Sequence, residues 1–90
     1  MIVLNGNKYK LIANRHDAFN EEAVLKRYAD VLGKYDFIVG DWGYNQLRMK
    51  GFYHVKNRKA SFDTRIDYLD DYLYEYCNFG CPYFVLQKID

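Results

Sequence analysis

The chain has little that breaks or loosens a backbone: one proline and six glycines in 90 residues. That excludes a Pro/Gly-rich linker or a low-complexity segment. No apolar run exceeds four residues, which excludes a transmembrane helix. Met1–Leu4 is too short for a signal-peptide core and runs at once into Asn5-Gly6-Asn7, so no secretion is expected. Charge of one sign is also missing: a formal net charge of +1 excludes a polycationic or polyanionic protein. Hydroxyl nucleophiles are scarce, with Ser61 the one serine and Thr64 the one threonine. Gly-x-Ser-x-Gly, a phosphate-cradling glycine loop and His-Glu-x-x-His are all absent, so no catalytic constellation is visible and no cofactor is called for.

What remains is a globular composition, half hydrophobic and 28% charged, of a length that fits one domain spanning residues 1–90. Aromatics make up 19% of the chain, and ten of them are tyrosine. A short chain buries only about 60–70% of its unfolded surface, and each large ring compensates by burying roughly 150–250 Å². The rings therefore read first as core and second as a sticky surface.

Charge is unevenly placed. Residues 42–62 carry Arg48, Lys50, Lys56, Arg58 and Lys59 with no acid, whereas residues 63–76 carry Asp63, Asp67, Asp70, Asp71 and Glu75 against Arg65 alone. Such blocks either form directed electrostatic surfaces or neutralise each other in the fold.

Local patterns predict the element order β-β-α-β-β-α-β. Ile2–Leu4 and Tyr9–Ile12 flank Asn5-Gly6-Asn7, a hairpin signal. Asn20 caps a helix whose apolar stripe runs through Val24, Leu25, Tyr28, Val31 and Leu32 to a stop at Gly33. Tyr35–Val39 reads as a strand covered on both faces, followed by a turn at Gly40–Asn45. Gln46–Val55 alternates: Leu47, Met49, Tyr53 and Val55 point one way, and Arg48, Lys50, Phe52, His54 and Lys56 the other. Asp67 caps a second helix with a stripe at Leu69, Tyr72, Leu73, Tyr76 and Cys77, ended by Asn78–Gly80. Pro82–Ile89 is the last strand. The fold class expected is a small α+β domain with a mostly antiparallel sheet of about five strands and two helices. A ferredoxin-like split βαβ is the alternative, because it shares the order once the first strand is dropped.

Three surfaces are candidates for function. The first is the basic and aromatic face of residues 46–56, continued by Arg58 and Lys59. Cations there would neutralise phosphates, while Phe52 and His54 would stack on bases, implying RNA or a ribonucleoprotein as partner. Lys50, Gly51, Phe52 and Val55 fit the RNP1 pattern, but Tyr53 and His54 miss it, and no convincing RNP2 partner accompanies it, Tyr9 being the nearest substitute. The second is the acidic helix face, Asp67, Asp70, Asp71, Tyr74 and Glu75, suited to a basic protein partner or, through its tyrosine, to a homodimer. The third is Cys77-x-x-x-Cys81, a weak metal or redox candidate; a disulfide fits sterically across a helix end, but the cytosolic setting expected here disfavours it. His16 and His54 lack the spacing that would complete a zinc site, and two small apolar fillers explain the cysteines more simply. Asp41-Trp42-Gly43 reads as a structural turn whose Asp bonds local backbone and whose Trp acts as a lid.

The segments Tyr35–Tyr44 (YDFIVGDWGY), Gln46–Phe52 (QLRMKGF), Tyr72–Cys81 (YLYEYCNFGC) and Tyr83–Leu86 (YFVL) resemble the YutD-like family, small proteins of low-GC Gram-positive bacteria. Asn45 and Pro82 depart from the Gly and Ala commoner there, which touches turn geometry. The resemblance covers nearly the whole chain and implies a cytosolic, single-domain α+β protein. It carries over no catalytic, metal or cofactor residues.

Overall fold

The computed structural model describes residues 1–76 and 80–89. Asn5 and Gly6, at φ 51° and 84°, turn β1 (Ile2–Leu4) back onto β2 (Asn7–Arg15). A one-residue irregularity between Leu11 and Ala13 lets β2 run on past the expected Ile12 to Arg15. Asn20 then opens α1 (Glu21–Arg27), its side chain accepting from the Ala23 N–H. The helix ends six residues before Gly33. At Tyr28 the backbone turns extended, and the Tyr28 hydroxyl sits 3.3 Å from that of Tyr9. A 3₁₀ turn (Asp30–Lys34) completes the segment. The shorter helix buries Val24 and leaves Leu25 exposed, and the following turn buries Leu32 while exposing Val31.

β3 (Phe37–Gly43) starts two residues after the expected Tyr35 and runs past Val39 into the expected turn, because Gly40, Asp41 and Trp42 stay in the ladder. Tyr44 and Asn45, at φ 53° and 62°, make the two-residue turn into β4 (Gln46–Phe52). Both central residues at positive φ match the twist of the flanking strands, as in a type I′ turn. β4 stops at Phe52, three residues short of Val55. Tyr53 makes one further parallel bridge to Arg65, and residues 54–60 form turns. Two 3₁₀ turns (Phe62–Thr64 and Ile66–Tyr68) lead into α2 (Leu69–Tyr76), and β5 (Tyr83–Ile89) follows.

The five strands form one sheet in the order β1-β2-β5-β3-β4, antiparallel throughout. The fold class expected from the sequence, a small α+β domain with two helices, is the one observed. The ferredoxin-like alternative is not: it would set β2 against β4, whereas β5 inserts between β2 and β3 and leaves β4 at the edge. The helices also lie on opposite faces of the sheet. Ile38, Phe84 and Leu86 face α1 with Leu4, Tyr9, Val24, Leu32 and Leu47. Their strand neighbours Phe37, Val39 and Val85 face α2 with Phe52 and Tyr72. Consecutive apolar residues in β3 and β5 therefore feed two cores, each buried side chain contributing about 1.5–3 kcal/mol. At Gly40 a Cβ would lie 2.2 Å from the Phe84 ring, so glycine is needed for that ring to cross the strand.

Candidate functional site

The basic strand face divides in two. In its strand half only Phe52 is fully covered by α2, while Lys50 is half-buried and Arg48 is exposed but paired. Phe52 is fully buried, its ring edge-on to Tyr72 at 5.6 Å between centroids. Arg48 is committed to Asp41: Nε donates to Oδ1 at 2.8 Å, and Nη2 lies 2.7 Å from the same oxygen. That hydrogen bond holds the guanidinium pKa above its ordinary value against a smaller opposing effect of burial. The Tyr72 hydroxyl donates to Asp41 Oδ2 at 3.0 Å, so a fully buried carboxylate joins β3, β4 and α2. Lys50 lies over the rings of Phe52 and Tyr72, at 5.4 and 6.0 Å.

This corrects the assignment of Phe52 as a stacking ring, since no base reaches a ring with no exposed surface. Tyr9 fails as a second stacking ring for the same reason. It is fully buried, and burial, followed by its contact with Tyr28, raises its phenol pKa well above 10. The Asp41-Trp42-Gly43 turn is also corrected. Asp41 bonds side chains across the sheet, and Trp42 donates Nε1–H to the Ala18 carbonyl at 2.8 Å.

The other half is an exposed loop tied by hydrogen bonds to Asp36. Asp36 Oδ2 accepts from the His54 backbone N–H at 2.8 Å and from Asn57 Nδ2 at 3.1 Å, and Asn57 Oδ1 accepts from the Lys59 N–H. His54, Lys56, Arg58 and Lys59 are exposed on this loop, away from the strand ladder. Ser61 and Thr64 close the next turn with a reciprocal cap, which occupies both of the chain's hydroxyl-bearing small side chains.

The acidic face is placed as expected in its helical part. Asp70, Asp71, Tyr74 and Glu75 are exposed on α2. Asp67 stands apart in the preceding 3₁₀ turn rather than capping the helix, bonded by Arg65 Nε at 3.0 Å. The Arg65 hydrogen bond lowers the Asp67 pKa. Of the cysteine pair, Cys77 lies outside the described residues, as do Asn78 and Phe79, and Cys81 is disulfide-bonded. The expectation of two simple apolar fillers, with a disulfide disfavoured, is therefore corrected at Cys81. Among the described residues, no group of three or more His, Cys, Asp or Glu is arranged to hold a metal.

A fourth feature lay hidden in the alternation. Leu47 and Met49 do point toward a core, but with Val31, Leu32 and Arg27 they also line a groove of about 380 Å³ beside the β4 edge. The signal available was Val31, an apolar residue on a predicted stripe that the early end of α1 turns outward. No helix among the described residues is long and apolar enough to cross a membrane.

A family model described as "Putative antitoxin YutD-like" matches residues 3–87. The chain is 58% identical over 89 residues to "Putative antitoxin YutD" of Bacillus subtilis (strain 168), covering 99% of this chain and 98% of that one. It is similar in fold to the solution NMR structure of protein yutD from B. subtilis, with a TM-score of 0.83 over 99% of this chain and 81% of that chain. A match across nearly the whole sequence and the whole sheet places this chain in the YutD-like family.

Proposed function

We propose that this chain is a cytoplasmic protein-binding module that engages a basic partner through the face of α2 bearing Asp70, Asp71, Tyr74 and Glu75. The observation that carries the reading is the exposure of all four side chains on a helix that has no basic residue in its last turn. Asp70 and Tyr74, and likewise Asp71 and Glu75, are four residues apart and so share a face. Tyrosine ringed by polar groups is a frequent energetic anchor at protein interfaces. The family description agrees in kind: an antitoxin neutralises a toxin, and that role implies a partner.

A second reading, contact with RNA or a ribonucleoprotein, is supported by the loop that presents His54, Lys56, Arg58 and Lys59. With Phe52 buried and Arg48 paired, it rests on phosphate contacts from the loop and Lys50.

One experiment separates the two. Tagged wild type, Tyr74→Ala, the double variant D70K/D71K and the triple variant K56E/R58E/K59E are used to capture partners from a lysate of the source organism, with and without ribonuclease. An RNase-resistant partner lost with the α2 variants and kept by the loop variant is the expected result. Material lost to RNase and to the loop variant overturns the protein reading in favour of RNA.

A further inference from the structure

We infer that this chain pairs with a second copy of itself through the α2 side of the sheet, each α2 lying on the part of that face that the other copy leaves bare. The inference rests on the reading of α2 as a binding face, and it names the basic partner which that face takes.

The two sides of the sheet are covered unequally. On the α1 side the core runs from Leu4 in β1 to Leu47 in β4. On the α2 side it runs only from Val85 in β5 to Phe52 in β4, with Ala13 of β2 at its margin. Side chains alternate between the faces of a sheet. Leu4, Tyr9 and Leu86 belong to the α1 core, so Val3, Lys8, Lys10, Gln87 and Ile89 point to the α2 side. The register sets them together. Lys8 lies between Val3 and Ile89 across β1, β2 and β5, and Lys10 lies beside Gln87. All five are exposed, Val3 at 56% and Ile89 at 36%. Beyond the irregularity after Leu11 the same face continues through Ala13 to Arg15, opposite Tyr83. The α2 side is therefore stepped: a helix over one part, and bare sheet at β1, β2 and the end of β5.

The two levels carry opposite charge. The bare part holds Lys8, Lys10 and Arg15, and residues 1–16 include no acid. The helix presents Asp70, Asp71 and Glu75 around Tyr74, which is 69% exposed. Among the described residues, none of these three cations and three acids makes an ion pair. A two-fold pairing needs a surface that complements itself, and a step with both signs of charge on one side does so. A two-fold axis running along the strands, at the boundary between bare and covered sheet, turns each α2 over the other copy's Val3, Lys8 and Ile89. The acidic helix then meets the basic sheet twice, Tyr74 has aliphatic side chains to rest on, and the two helices form one layer between two sheets. Opposite charges across an interface favour and orient such an encounter. RNA is the poorer occupant of the bare part, which offers no ring for a base to stack on and stands beside three acids.

The test is sedimentation of the intact chain over a range of concentrations. The wild type is expected to reach a two-chain mass, with a Kd that rises about tenfold or more between about 50 and 500 mM salt. K8E/K10E and D70K/D71K should each weaken self-association by about a hundredfold, because both contacts of the pair then set like charges together. Mixing these two variants should restore a two-chain species, since an acidic sheet meets a basic helix in one contact and the reverse holds in the other. K8E/K10E/D70K/D71K in one chain should pair as the wild type does, which guards against a variant that merely unfolds. A monomer at every concentration up to about 1 mM overturns the inference. So does a dimer that survives K8E/K10E, or a mixture of folded variants that stays monomeric. Species that grow past two chains overturn the two-fold arrangement. A foreign protein captured equally by wild type and K8E/K10E, yet lost with D70K/D71K, overturns self-pairing and leaves the α2 reading standing. Capture and self-association that both ignore D70K/D71K overturn the α2 reading itself.

Discussion

Replacing Arg48 should unsettle the fold far more than its half-exposed position suggests. Asp41 has no exposed surface, and its cationic partner is Arg48, held through two nitrogens on one carboxylate oxygen. Removing the guanidinium leaves a buried carboxylate with only the Tyr72 hydroxyl among the described residues, and breaking a buried pair from one side costs about 3–5 kcal/mol. Arg48 is itself 47% exposed, so water partly reaches the gap, and the lower end applies: about 3 kcal/mol for Arg48→Ala. A domain of this size has roughly 5–13 kcal/mol in all, so the variant should lose a large share of its stability and about 12–24 °C in Tm. Asp41→Asn keeps an acceptor for Tyr72 and frees Arg48 to reach water, so it should cost only about 1–2 kcal/mol. Urea denaturation followed by the fluorescence of Trp42 measures both, and the double variant should cost less than the two singles added. The reasoning is refuted if Arg48→Ala costs less than Asp41→Asn. The result also bears on function. Arg48→Glu sets a second carboxylate beside a buried one, so loss of binding in that variant reports unfolding rather than a lost contact.

Two further outcomes follow from the geometry. Gly40→Ala should destabilise by about 1–3 kcal/mol, since the new methyl meets the immobile Phe84 ring; a thermal shift of less than about 4 °C would mean the strand moves aside. Tyr9 gives the fold an alkaline limit. Its folded pKa is raised by burial and by Tyr28, so its stabilising contribution is whole below the unfolded value of about 10 and is lost as pH rises from there through the folded value. Urea midpoints measured from pH 8 to 11 should fall above pH 10, and the fall should be shallower in Tyr9→Phe.

Parity along the chain was legible, and solvent exposure was not. The alternation at residues 46–52 correctly sorts Leu47 and Met49 from Arg48, Lys50 and Phe52. It cannot say which side is wet, and on the side with more charge α2 buries Phe52 while Lys50 stays half-buried and Arg48 exposed. The signal lay elsewhere: an unbroken Phe37-Ile38-Val39 next to β4 already requires cover on both faces of the sheet. Asn5-Gly6, Asn20 and the double-sided β5 were readable because each depends on neighbours a few residues away. The placing of β5 between β2 and β3 was not, since it pairs Leu11 with Leu86 and no local rule spans that interval. The function of Asp41 was missed for the same reason: its partners are seven and thirty-one residues away.

The central position of β5 also has a consequence for how the protein comes into being. Until residues 83–89 have left the ribosome, β2 and β3 lack the strand that joins them, and both cores lack a wall. The hairpins on either side rest on local pairing alone and are expected to form first, whereas without β5 the chain leaves one flank of β2 and one of β3 with no partner. Insertion of β5 is expected to complete both layers together, since it contributes Phe84 and Leu86 to one core and Val85 to the other. Cellular abundance of this protein should accordingly track the time between translation of β5 and its insertion, and synonymous or sequence changes that delay that step will act as loss of protein without altering any surface residue.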